Sequence, residues 1–174
     1  ATDLAPTDAP AAPVRKRPKP GERRVQILQA LAQMLEAPGA ERITTAALAA
    51  RLEVSEAALY RHFASKAQMF EALIDFIDSS VFGLIHQIVD VPQPLPGQAA
   101  RIASVILQFG EKNPGMTRVM VGDALVYENE RLQQRMNQFF DKLDAALRQS
   151  LRDGALADAA EPATSTPDAD ARVR

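Results

Sequence analysis

The residues with the most chemical content lie in one stretch, Ile43 to Phe63, and their chemistry is recognition rather than bond-making. Thr44 and Ser55 are hydroxyl residues of the kind that cap helix starts. Each follows an apolar residue (Ile43, Val54) and precedes a leucine by four positions (Leu48, Leu59), the pattern of a hydrophobic staple. Two short stapled helices joined by a tight turn make a helix-turn-helix. The second helix of that motif lies in the major groove of a DNA duplex and leads with its N-terminal residues. Its outward side chains, Glu56, Ala57, Tyr60, Arg61 and His62, are then the readers of base edges or phosphates, while Thr44, Thr45, Ser55 and the free amides at the helix start suit phosphate contacts.

No other constellation competes with it. The chain has no Cys, which removes disulfides, thiolate metal sites and cysteine nucleophiles. His62 and His86, its two histidines, are too far apart in sequence for a ligand pair, so no metal site is expected. His62 reads as a DNA contact, and His86 as a packed or solvated side chain. Asp123 and Glu128 lack partners at catalytic spacing, and there is neither a phosphate loop nor a nucleophile elbow. The chain is therefore read as no enzyme, with no cofactor.

The elements that must position these readers are all helical. Val25, Leu28, Leu31, Ala32 and Leu35 form a stripe at helical spacing that Pro38-Gly39 ends. After the two short helices, near 44–52 and 55–63, Ser65-Lys66-Ala67-Gln68 matches a capping box for a long helix over about 66–89. That helix carries Met69, Phe70, Leu73, Ile74, Ile77, Leu84 and Ile88 as its apolar face. Pro92, Pro94 and Pro96 predict a stiff loop. A fifth helix with Ile102, Val105, Ile106 and Phe109 ends before Asn113-Pro114-Gly115, and a short one carries Met116, Val119 and Met120. The last, over about 128–152, repeats Leu132, Met136, Phe139, Leu143, Leu147 and Leu151. The fold class is all-α.

Charge divides the chain along its length. Its 174 residues carry a net −2, yet 14–66 holds ten basic and five acidic residues, and 67–174 ten basic and fifteen acidic. A basic first third suits a polyanion. Residues 1–21, rich in Ala and Pro and then in Pro, Lys and Arg, read as a disordered basic arm, and 153–174 as a disordered tail. No run of about 18 apolar residues is present and the N-terminus lacks a signal-peptide h-region, so the expectation is a cytoplasmic protein without a membrane partner.

At Leu59-Tyr60-Arg61-His62-Phe63-Ala64-Ser65-Lys66 the sequence resembles the TetR family, whose DNA-binding motif ends in Leu-Tyr-x-x-Phe-x-x-Lys. The likeness is closest to the nucleoid-occlusion branch of that family. It runs from Val54–Phe63 through Phe109-Gly110-Glu111-Lys112-Asn113-Pro114-Gly115-Met116-Thr117-Arg118 to Arg131–Phe139, covering roughly 22–152. The resemblance implies a DNA-binding domain over 22–66 and a helical partner-binding domain over 67–152. Arg23, Arg24 and Lys66 join the DNA-binding residues. It implies a nucleoid-associated dimer that binds palindromic double-stranded DNA and, when bound, the division protein FtsZ, whose ring it antagonises. The FtsZ surface of that branch lies between the fourth and fifth helices, which assigns Phe76, Val105, Lys112 and Asn113 to it. Phe76 breaks the apolar stripe of its helix, as an exposed anchor for a partner peptide would, the alternative being that it is simply core.

Three positions depart from the family pattern. Glu53 stands where the motif's turn commonly has Gly, and Gln108 where a small residue is usual. The end of the chain, Gly154–Arg174, does not resemble the two further helices that form the family's dimer interface. Dimerisation is accordingly in doubt. The expectations are weak DNA binding, an exposed apolar face on 100–151, and self-association through Leu132–Leu151. The competing reading is a ligand-responsive TetR-type repressor, with Phe109, Met116, Met120, Tyr127 and Met136 lining an effector pocket.

Overall fold

The computed structural model describes Lys19 and residues 21–37, 42–93 and 95–160. Most of the expected basic arm, and the tail beyond Ala160, lie outside these residues. Among the described residues the regular structure is helical: α1 (Glu22–Glu36), α2 (Thr45–Arg51), α3 (Glu56–Tyr60), α4 (Lys66–Val89), α5 (Gln98–Lys112), α6 (Pro114–Met120) and α7 (Glu130–Ala160), with a 3-10 turn at Asp123–Leu125.

Three helix starts follow from side-chain capping, those of α2, α3 and α4. Thr44 Oγ1 accepts from Ala47 N at 3.1 Å, Ser55 Oγ from Ala58 N at 3.2 Å, and Ser65 Oγ from Gln68 N at 3.2 Å. The capping box at α4 is rerouted. Gln68 Oε1 accepts from Ala64 N at 3.0 Å, one residue before the cap. Pro114 opens α6, where its missing N–H is not needed. Asn113 bridges the break, its Nδ2 donating to the Phe109 carbonyl at 2.8 Å.

The turn between α2 and α3 ends α2 by a Schellman arrangement. Glu53 N donates to Ala50 O at 3.1 Å and Val54 N to Ala49 O at 3.0 Å. Glu53 itself sits at φ 55, the left-handed region that the sequence position implied. A non-Gly residue there costs about 1 kcal/mol. Glu53→Gly is therefore expected to raise the thermal midpoint by roughly 3 °C. Differential scanning calorimetry reads this directly, and an unchanged or lowered midpoint would remove strain from the description of the turn.

One core runs through both halves. Ile27, Leu31, Leu35, Leu48, Leu59, Phe63, Met69, Phe70, Leu73, Ile74 and Ile77 are buried together in the first part, and Val81, Ile85, Ile102, Leu132, Met136, Phe139 and Leu143 continue it. Helix α4 is the shared spine, packed against α1, α5 and α7. By length and composition it is apolar enough to cross a bilayer, yet it is no unbroken apolar run, since Lys66, Glu71, Asp75 and Asp78 lie along it. Its apolarity serves this interior. Along its flank Glu71, Asp75 and Asp78 pair with Arg131, Arg135 and Lys142 of α7, at 2.9 Å for the first pair and 2.7 Å for the last.

Several expectations need correction. Val25 is exposed and Ile27 takes the core position of α1, while Leu84 is exposed and Val81, Phe82 and Ile85 are buried instead. Both errors follow from choosing between neighbouring apolar residues without knowing which helix lies opposite. The helix expected to end near 152 continues to Ala160, since its alanines favour helix and Gly154 carries no tight contact that would break it. Of the stripe Leu132–Leu151, the residues Leu132, Met136, Phe139 and Leu143 are core and not a free association surface, while the exposed large apolar side chains of α7 are Phe140, Leu151 and Leu156.

Helix α6 reaches α1 by close contact. A Cβ on Gly115 would stand 2.0 Å from the Ala32 carbonyl oxygen. Arg118 completes the joint, Nη1 donating to the Leu35 carbonyl at 3.0 Å and Nε pairing with Asp123 at 2.6 Å.

Candidate nucleic-acid interface

Helices α2 and α3 pack against each other and α2 packs against α1, with Leu48, Ala49, Leu59 and Phe63 buried and Leu52 and Val54 half-buried at the turn. This leaves the opposite sides of both helices in solvent. Thr44, Ser55, Glu56, Ala57, Tyr60 and Arg61 are exposed, and Thr45 and His62 half-buried. All eight belong to the α2 start or to α3 and the turn that follows it, so the fold presents them on one motif. Tyr60, 46% exposed, is the one large aromatic there. A phenol on a convex face beside an arginine can pack on sugar and donate to a phosphate oxygen.

Two internal bonds shape this surface. Thr45 Oγ1 donates to Glu56 Oε2 at 2.7 Å, tying the first turns of α2 and α3 together. Arg24 of α1 stacks its guanidinium 4.1 Å over the Phe63 ring, and its Nη1 donates to the His62 carbonyl. Arg24 thus holds the exit of α3 before any nucleic acid arrives. Arg23 is half-buried on the same first turn.

Lys66 is placed differently from the others. Its Nζ pairs with Glu128 at 2.6 Å, with side chains only 20% and 8% exposed. Sequence reasoning missed Glu128, because the pairing joins positions 62 residues apart and no local pattern marks it.

The second expected surface is brought together in part. Phe76, 50% exposed, lines an apolar cleft of about 110 Å³ with Val25, Leu28, Gln29, Leu73 and Met116. That cleft lies between α1, α4 and α6 rather than between α4 and α5. Val105 is half-buried and Lys112 exposed on α5, and Asn113 is half-buried at the α5–α6 break, three residues before Met116. None of these three lines the cleft. An effector pocket is not formed by the residues proposed for it. Met120 and Met136 are core, Tyr127 is exposed at 66%, and Met116 faces the Phe76 cleft. Among the described residues no three His, Asp or Glu side chains are grouped to hold a metal ion.

Two stretches of the chain match known families. Residues 27–73 match the family described as bacterial regulatory proteins, tetR family, and 98–164 match a Tetracyclin repressor-like C-terminal domain of the SlmA-like kind. The chain is 53% identical over 136 residues to the nucleoid occlusion factor SlmA of Photobacterium profundum, covering 78% of this chain and 69% of that protein. It is 52% identical, over the same shares, to that of Vibrio vulnificus strain YJ016. To that of Marinomonas sp. strain MWYL1 it is 50% identical over 145 residues, 83% of this chain and 74% of the relative.

Proposed function

Since the chain belongs to the TetR family of DNA-binding regulators, and within it to the SlmA-type nucleoid occlusion factors, we propose that it binds palindromic chromosomal sites as a dimer and, when bound, engages FtsZ and opposes ring assembly over the nucleoid. It acts in the cytoplasm, on the nucleoid. The observation that carries the DNA half is the two-helix motif with its stapled caps, which holds Tyr60, Arg61 and Glu56 outward from a buried Leu59–Phe63 base.

The FtsZ half rests on Phe76. An aromatic side chain half in solvent beside an apolar cleft is what an extended peptide with an apolar anchor would use. Val105, Lys112 and Asn113 do not line this cleft; they belong to the reading through the family resemblance, in which the exposed Lys112 ammonium suits an acidic peptide. The site is one helix away from the recognition helix, because α4, capped by Ser65, starts just after α3 and carries Phe76 in its third turn.

Phe76→Ala tests this assignment. FtsZ binding to the DNA-bound chain should weaken at least tenfold, the loss of one aromatic hot spot, while DNA affinity stays within about twofold. Fluorescence anisotropy with labelled duplex, followed by added FtsZ, measures both. An equal loss of both activities would make Phe76 a structural residue and leave the FtsZ surface unassigned.

A further inference from the structure

Lys66 lies at the first position of α4, four residues after His62, and the family resemblance makes it one of the DNA-binding residues, a phosphate contact in the proposed complex. In the free chain its ammonium is already held by Glu128, a carboxylate 8% exposed in the segment between the 3-10 turn and α7. We infer that Glu128 is an internal competitor of DNA phosphate for Lys66, so that DNA binding and the seating of the 126–129 segment exclude each other. The inference rests on the DNA-binding reading and adds a regulatory contact to it.

The chemistry is an exchange of one anion for another. A Lys ammonium directs its donors as a compact point charge, and here Glu128 draws it inward at 2.6 Å. Phosphate offers the same charge-assisted bond on the outer side. Once Lys66 turns to phosphate, Glu128 loses its cation while largely shielded from water, which is a costly position for a carboxylate. It regains hydration by moving outward. Its neighbours oppose this little: Val126 and Tyr127 are 68% and 66% exposed, and Asn129 and Glu130 are exposed. The anchors on either side, Leu125 at 4% and Leu132 at 0% exposed, stay in the core and confine the movement to the residues between them. The α4–α7 pairs, Glu71–Arg131, Asp75–Arg135 and Asp78–Lys142, lie further along α4 from the DNA face and are not drawn into the exchange. DNA binding is thereby linked to the conformation of one defined segment of the second domain. Linkage of this kind is reciprocal, so whatever holds 126–129 outward must tighten DNA binding by the same factor.

Glu128→Gln keeps the shape and removes the charge. It should bind a palindromic duplex about fivefold more tightly, corresponding to the loss of one partly buried competing pair, and its salt slope should steepen by about one unit as Lys66 becomes a full phosphate contact. Lys66→Met should abolish both gains when added to Glu128→Gln. Hydrogen exchange at 126–129 should quicken on adding duplex to the parent chain and stay unchanged in Lys66→Met. Weaker DNA binding by Glu128→Gln would overturn the inference, because Glu128 would then be orienting Lys66 for DNA. Unchanged affinity and slope would overturn it too. Should Glu128→Gln fail to fold, Glu128→Asp, which withdraws the carboxylate by one methylene, is expected to show a smaller gain of the same sign. A parent chain that binds no duplex at low salt would bring down the DNA-binding reading itself, whereas a parent that binds while the variants match it removes only the competition.

Discussion

Gly115→Ala is expected to lower the thermal midpoint by roughly 10 °C, corresponding to about 3 kcal/mol. The added methyl would stand 2.0 Å from the Ala32 carbonyl oxygen and 3.1 Å from Glu36 Cγ, so most of the clash is with backbone that no rotamer change can relieve. Either α6 lifts from α1 or α1 shifts beneath it. Both movements disturb the Arg118 bond to the Leu35 carbonyl, and the second also displaces Arg24 from Phe63 at the exit of α3. DNA affinity should therefore fall together with stability. Gly83→Ala is the internal control. Gly83 is also helical but has open space around its Cα, so alanine there should stabilise by about 0.5 kcal/mol or more. Thermal denaturation of the two variants side by side decides the matter, and a Gly115→Ala midpoint within 2 °C of the parent, about 1 kcal/mol or less, would mean that the α1–α6 contact is not a close joint.

Arg61→Ala is expected to weaken binding to a specific duplex about tenfold, with the salt slope flattened by about one unit. Tyr60→Ala should weaken binding comparably with little change in slope, because it removes contact area and one donor rather than a charge. Neither change touches the core, since both side chains are exposed on α3 while Leu59 beneath them is buried. Midpoints should remain within about 1 °C of the parent, the range of ordinary surface substitutions. A titration over several salt concentrations separates these outcomes. Full affinity in both variants would move the reading surface away from α3.

The caps and staples made the α2–α3 motif legible in sequence because they are local: a hydroxyl, an apolar residue before it and a leucine after it fix a helix start within six residues. The left-handed turn at Glu53 is legible instead from the family pattern, which commonly has Gly at that position. Pairings across the fold were not. Glu128 on Lys66, Arg24 on Phe63 and Thr45 on Glu56 each depend on which helices lie side by side. Phe76 was read as exposed because it breaks its stripe, yet the cleft beside it is built by Val25, Leu28 and Met116 from two other helices. The continuation of α7 past Gly154 was missed for a different reason. An alanine-rich segment has no apolar stripe to betray it, and only helix propensity argues for it.

In the proposed function the two surfaces are coupled, and α4 runs from one to the other, with Lys66 at its first position and Phe76 further along. The most direct test is sedimentation velocity of the purified chain with a fluorescent palindromic duplex, with and without FtsZ. Two chains should sediment on each duplex, and FtsZ should join that complex but bind far less to the chain without DNA. A chain that leaves the duplex behind, or one that takes up FtsZ equally with and without it, would contradict the proposal.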